Sequence, residues 1–363
     1  MFRDFFIKTP KWLVIVILIL VTIRLAMPPV GKWIINRSLA NKMGEYTGSI
    51  DDFDLSLYRG AYQILGLQIK KKNSNLQPLI QVREIDISVA WRSLLHKVVT
   101  TDITMLDPVI HFADSKDKAD KQSGLDEPPS NWQSVADTIF PVKIESFFIH
   151  NGAIDFTKTD LKKPLPVKLE KVEFYVEDLR TQSKGTYSPF KVKALLQEHA
   201  DIFAEGKVDI LSMPMKGDID FQMTDFKLNT INQLLLAYIP LDVTKGTFSM
   251  YGETVYSGDA KGYVKVFFRD GDIIFKKQDI HGVKHFFLEI IGAFGNWVLQ
   301  NNKTKSIAAE IPFQYTKGKL DVNASKAFWS AVKNKGEHLS RGIDNKVSLK
   351  KSDEKQPESK ERP

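Results

Sequence analysis

Between Glu45 and Phe112 apolar and polar residues alternate, and this period of two is the tightest constraint the chain places on its fold. Phe53, Leu55 and Leu57 interleave with Asp52, Asp54 and Ser56, while Ile85, Ile87 and Val89 interleave with Glu84, Asp86 and Ser88. A helix would scatter such residues around its circumference, whereas a strand sends all the apolar ones to one side. Short polar turns, Tyr58-Arg-Gly60 and Lys72-Asn-Ser-Asn75, separate the runs, and Trp91–Leu95 forms a further turn. Short turns join antiparallel neighbours, so the stretch predicts a β-meander with one apolar and one wet face.

The pattern resumes at Val142 and continues through most of the chain. A glycine followed by apolar residues at its second and fourth successors recurs at Gly152, Gly206, Gly217, Gly246, Gly262, Gly271 and Gly318. We read each as a turn glycine that tolerates positive φ and opens a strand. Their irregular spacing excludes a propeller or a strict solenoid. Helical spacing appears near Trp132–Ile139, over Thr230–Ile239 ahead of Pro240, and over Val283–Gln300. The last carries Phe286, Phe287, Ile290, Ile291, Phe294 and Trp297 on one stripe, which either packs on the sheet as core or lines a cavity. Residues 113–130 lack apolar periodicity and read as a loop. The expected fold is mainly β with a few helices: a long curved antiparallel sheet, groove-like or sandwich-like, behind an N-terminal transmembrane helix.

That helix is predicted from Trp12, Leu13, Val14, Ile15, Val16, Ile17, Leu18, Ile19, Leu20, Val21 and Ile23, continued past Arg24 to Val30. The run approaches the ~20 residues that a spanning helix needs. A cleaved signal peptide is the competing reading, but Leu25-Ala-Met27 meets Pro28-Pro29 instead of a small-residue cleavage site. Three segments follow: 1–30 as cytoplasmic stub and anchor, 31–345 as a β-rich body, and 346–363 as a charged, disordered tail. Residues 31–45 suit either an amphipathic helix at the membrane surface, with Trp33, Ile34, Leu39 and Met43 at the interface, or a helix capping the sheet edge.

Composition removes several function classes. The net charge of +7 over 363 residues is modest, and its basic excess lies near the apolar segment, so nucleic acid is not an expected partner. The absence of cysteine excludes disulfides, thiolate metal sites and a cysteine nucleophile. No nucleophile elbow, phosphate-binding glycine loop, dinucleotide fingerprint or His-Glu-x-x-His motif is present. His281, His285 and Glu289 would share a helical face, yet Gly282 interrupts that helix start and they read as polar-face residues. No catalytic, cofactor-binding or metal-ligating residue is assigned, no cofactor is expected, and no enzyme is expected.

Asp54-Leu-Ser-Leu-Tyr-Arg-Gly-Ala-Tyr-Gln-Ile-Leu-Gly-Leu67 behind the apolar segment resembles the opening of AsmA-like bacterial envelope proteins. So do Ile85-Asp-Ile-Ser-Val-Ala-Trp-Arg-Ser-Leu-Leu95, Leu106-Asp-Pro-Val-Ile110, Phe147–Phe156, Gly246–Glu253 and Gly262–Lys265, in that order. The likeness covers about residues 10–345 and is strongest to the branch catalogued as a domain of unknown function. It implies a single-pass protein of the bacterial inner membrane, with its body in the periplasm. It also implies kinship with bridge-like proteins that hold lipid acyl chains in a β-groove. On that resemblance the candidate lipid-facing residues are Leu65, Leu67, Ile85, Ile87, Val89, Ile219, Phe221, Met223, Phe287 and Ile291. For each, the alternative is ordinary core. At the level of function, the alternative is an envelope scaffold that meets other envelope proteins and carries no lipid.

Overall fold

The computed structural model describes residues 11–56, 60–89, 101–115, 121–122, 144–161, 166–177, 187–209, 214–238, 241–275, 306–316, 319–322 and 339–348. The chain divides into two compact units, Met1–His111 with Gln122–Lys143, and Phe112–Lys121 with Ile144–Pro363. Strands dominate both, and those within each unit pair antiparallel.

The first unit begins with α1 (Lys11–Asn41), one helix that runs through Pro28 and Pro29 without ending. The helix is long and apolar enough to cross a membrane. Its second part carries Ile35 and Leu39, and Met43 follows just beyond its end; all three are buried within the unit. Residues 31–41 therefore cap the sheet; of the four residues expected at a membrane interface, Leu39 and Met43 are buried while Trp33 and Ile34 are exposed. Behind the helix, β3 (Ala61–Lys71) carries β1 (Tyr46–Ser49) and β2 (Asp52–Ser56) along one edge and β4 (Ile80–Val89) along the other. β4 then pairs with β5 (Thr101–Leu106) and with β6 (Val109–Asp114).

The core of this unit follows from register. Ile64 lies opposite Ile85, and Ile87 lies opposite Ile103, and no solvent reaches any of the four. Leu65 departs from the sequence reading. It stands opposite Glu84, on the face away from Ile85 and Ile87, and remains half-buried. Gly66 follows at φ 63, a conformation that breaks strict alternation, and Leu67 returns to the buried side opposite Val82.

In the second unit, nine strands succeed one another in space as in sequence. They are β7 (Ile144–Lys158), β8 (Val167–Val176), β9 (Ser188–Leu196), β10 (Ala200–Asp209), β11 (Lys216–Lys227), β12 (Leu241–Ser257), β13 (Asp259–Phe275), β14 (Ser306–Thr316) and β15 (Lys319–Val322). The expected helix over 230–239 is present as a single 3-10 turn, Leu228–Ile231, leading into α2 (Asn232–Tyr238). Asn232 ties it to β12 by donating to Asp242 and accepting from the Val243 amide. The helices expected near 132–139 and over 283–300, with His281, His285, Phe287 and Ile291, lie outside the described residues.

The recurrent glycines play a different part from the one expected. Of those described, Gly246 alone adopts positive φ. Gly206 and Gly262 sit inside β10 and β13, where a Cβ would come within 2.0 Å of the Asp218 carbonyl and 2.1 Å of the Glu253 carbonyl. Close approach of neighbouring backbone, not turn geometry, selects glycine there.

Because Ile87 is sealed, Ile87→Asp should unfold the first unit, since an unpaired carboxylate there has neither water nor a partner. Ile87→Val should cost only about 1 kcal/mol. Thermal and denaturant unfolding followed by circular dichroism measures both.

Candidate functional site

The register of the second unit aligns apolar side chains into rows that cross the strands. Ile149, Phe174, Val192, Ala204, Phe221, Gly252, Val264 and Ile311 stand opposite one another in succession from β7 to β14. A second row, on the same face because it lies two residues away, runs Phe147, Val176, Phe190, Gly206, Ile219, Thr254, Gly262 and Phe313. A third, from β9 to β14, runs Ala194, Ile202, Met223, Met250, Val266 and Ala309. Seven interstrand gaps of ~4.8 Å make this face about 34 Å long.

Its cover is uneven. Val176, Phe190, Val264, Val266, Ala309 and Ile311 are buried, while Phe147, Phe174, Val192, Ile219, Phe221, Met250 and Phe313 keep part of their surface exposed. Leu228 and Ile231 of the 3-10 turn pack with Met223, Phe226, Phe248 and Met250 at one margin. Glycines lower the floor between them. A Cβ on Gly252 would come within 2.4 Å of the Phe221 ring, and one on Gly262 within 3.0 Å of the Phe313 ring. Both rings therefore lie against bare backbone.

The sequence-predicted residues divide accordingly. Ile219, Phe221 and Met223 come together on this face, the first two partly buried and Met223 buried. Leu67, Ile85 and Ile87 belong to the buried core of the first unit, and Leu65 does not share their face. Val89 lies within β4. Phe147, Phe174, Phe190, Val264 and Val266 went unassigned, although the same alternation of every second residue marks them.

The opposite face is charged. Tyr175, Lys191, Glu205, Asp220, Glu253 and Tyr263 form one of its rows from β8 to β13. Over β12–β14 it is covered by the chain's own residues 339–348. The Glu253 carboxylate, wholly buried, accepts hydrogen bonds from the Tyr263 hydroxyl and from the amides of Asn345, Lys346 (2.7 Å) and Val347 (2.9 Å). Lys265, also wholly buried, donates to the carbonyls of Ser340 (3.2 Å) and Gly342 (3.1 Å) and to the Asp344 carboxylate. Lys346 reaches Glu310 at 3.0 Å, and Leu339 packs on Tyr251, Phe267 and Ala308. The result is a clasp: an extended segment whose amides and carbonyls are met by one buried anion and one buried cation. Alternation alone assigns Glu253 and Lys265 to a wet face, and nothing local reveals partners 77 and 94 residues away. Lys346 and Val347, expected in a tail, are thus held by the sheet, while 349–363 lie outside the described residues.

Burial alone would raise the Glu253 carboxyl, but hydrogen bonds from Tyr263 and the three amides hold it below its usual range. Asp344 is likewise lowered, its desolvation outweighed by Lys265 and Lys346. Asp220, beside Glu253 on β11, moves the other way. Burial first, then Glu253, Asp218 and Glu205, push it up to about 6. Among the described residues, no group of three His, Asp or Glu side chains could hold a metal ion. No protein-family model matches the chain, and no curated protein matches it.

Two pH-linked outcomes follow. Depressed carboxylates stabilise the folded state above their unfolded values of roughly 4, and that contribution is lost as pH falls through the lower folded values. Amide-exchange protection factors at Asn345–Val347 should therefore be high at neutral pH and fall below about pH 4. Glu253→Gln should lower them ~10-fold or more at pH 7, the weight of a charge-assisted bond. Asp220 has the opposite sign: its raised value favours the fold below the unfolded value, and this is lost as pH rises through about 6. Asp220→Asn should raise the melting temperature at pH 7.5, with the gain vanishing near pH 4.

Proposed function

We propose that this chain is an AsmA-like envelope protein, anchored by α1 in the bacterial inner membrane with its body in the periplasm. In this reading it binds or passes lipid acyl chains along the apolar face of β7–β14. The observation that carries it is the set of three coherent apolar rows whose members at Phe147, Phe174, Ile219, Phe221 and Phe313 remain partly open to solvent. Soluble proteins rarely leave a long contiguous apolar surface without a partner. A lipid is a partner of matching chemistry. Exposing ~30 methylenes of a two-tailed lipid to water costs about 24 kcal/mol at ~0.8 each, and an apolar sheet face removes much of that without any catalytic group.

A second reading, an envelope scaffold without cargo, is favoured by one observation: Val264, Val266, Ala309 and Ile311 are already buried at the β13–β14 end of the face. The two readings differ in what touches the open part. A photoreactive phenylalanine analogue placed in the full-length protein at Phe221 or at Ile219 should yield phospholipid adducts in intact cells, detected by mass spectrometry. The same analogue at Gln222 or Lys191, on the charged face, should yield none. Ile219→Asp should lower the adduct at Phe221 several-fold in protein that still melts cooperatively. Absence of lipid at every apolar-face position, with protein adducts in its place, would favour the scaffold.

A further inference from the structure

The helix α1 carries a second apolar surface that the sheet does not use. Ile35, Leu39 and Met43 face the first unit, but Met27, Val30, Trp33 and Ile34 point away from it and are 45%, 49%, 59% and 47% exposed. This outward stripe continues the exposed apolar run that begins at Trp12.

The sheet descends alongside the same stretch of helix. Asn36 exchanges hydrogen bonds with the backbone of Ile50, Lys32 donates to the Asp51 carbonyl, and Phe53 closes on Gly31 so tightly that a Cβ there would lie 2.7 Å from its ring. Further down, Arg24 pairs with Asp54 at 2.8 Å. From Ile50 to Asp54 the chain therefore moves back along α1, from contact with Asn36 to contact with the Arg24 side chain, with Phe53 of β2 at Gly31 between them.

Length decides where the bilayer must end. From Trp12 to Ile23 is 12 residues, about 18 Å of helix, well short of the ~30 Å hydrocarbon core. From Trp12 to Trp33 is about 32 Å, which fits. Tryptophan is the residue that marks both membrane–water interfaces, and the Arg37 guanidinium rests over the Trp33 ring at 5.2 Å, where headgroup phosphates would meet it. We propose that the lipid bilayer reaches Trp33, so that the outward stripe Met27–Ile34 is lipid-facing and the Arg24–Asp54 pair, with the strand end Phe53–Ser56, lies at membrane depth. This rests on the reading of α1 as a membrane span. Arg24 is tolerated within the span because Asp54 neutralises it there, the usual condition for a charge at such depth. The first unit is thus sunk into the leaflet on its own side, with β2 entering beside the helix.

The cysteine-free chain allows a direct test in the full-length protein. Single cysteines at Ile17, Val30, Ser56 and Asn41 are spin-labelled after reconstitution into vesicles of phosphatidylethanolamine and phosphatidylglycerol. Collision with oxygen and with a water-soluble nickel chelate then reports depth. Labels at Ile17, Val30 and Ser56 should favour oxygen several-fold, and the label at Asn41 should favour the chelate. A lipid-facing Ile17 with an aqueous Val30 or Ser56 overturns the proposed depth while leaving the span intact. An aqueous Ile17 overturns the span itself, and the depth with it.

Discussion

Everything in the second unit depends on one backbone constraint, the unbroken ladder of antiparallel pairing from β7 to β15. Side chains in a strand alternate with a period of two, so a slip of one residue in any pair would send every apolar side chain beyond it to the charged face. Phe174, Val192, Ala204, Phe221, Gly252, Val264 and Ile311 form a row only because six successive registers agree. The same agreement sets Glu205, Asp220 and Glu253 side by side on the other face, where their mutual repulsion contributes to the raised Asp220 carboxyl. Coherence on one side thus carries an electrostatic cost on the other.

The two faces meet this situation by different means. On the charged side, Glu253 and Lys265 are each taken out of water and fully compensated by residues 339–348, so neither is left as an isolated buried charge. On the apolar side, the turn Leu228–Ile231 covers one margin and the glycines let Phe221 and Phe313 lie flat against the strands.

Most of this architecture is legible in alternation. Asp52–Ser56 and Glu84–Val89 announce strands because period two has no helical counterpart, and Ile219, Phe221 and Met223 fall together on one apolar face. Three features are not legible, each for a physical reason. Leu65 is misplaced because Gly66 takes positive φ and shifts the buried phase, an event that glycine permits but does not require. The interior glycines mimic turn glycines, since both uses need only the missing Cβ, and the distinguishing neighbour lies on another strand. The clasp escapes because Glu253 and Lys265 look like ordinary wet-face residues until a segment far along the chain folds over them.

Neighbour-only pairing also makes the sheet a ruler. Each strand from β8 to β14 bonds to the strands before and after it in sequence, so the pairing itself does not fix how many there must be. Inserting one further hairpin would lengthen the apolar rows by about 10 Å and leave every existing register untouched. Loss of a hairpin would shorten them by as much, again without disturbing the remaining strands. The reach of such a face is therefore set by gene length in steps of two strands, a digital quantity, whereas its chemistry is set separately by which residues occupy alternate positions.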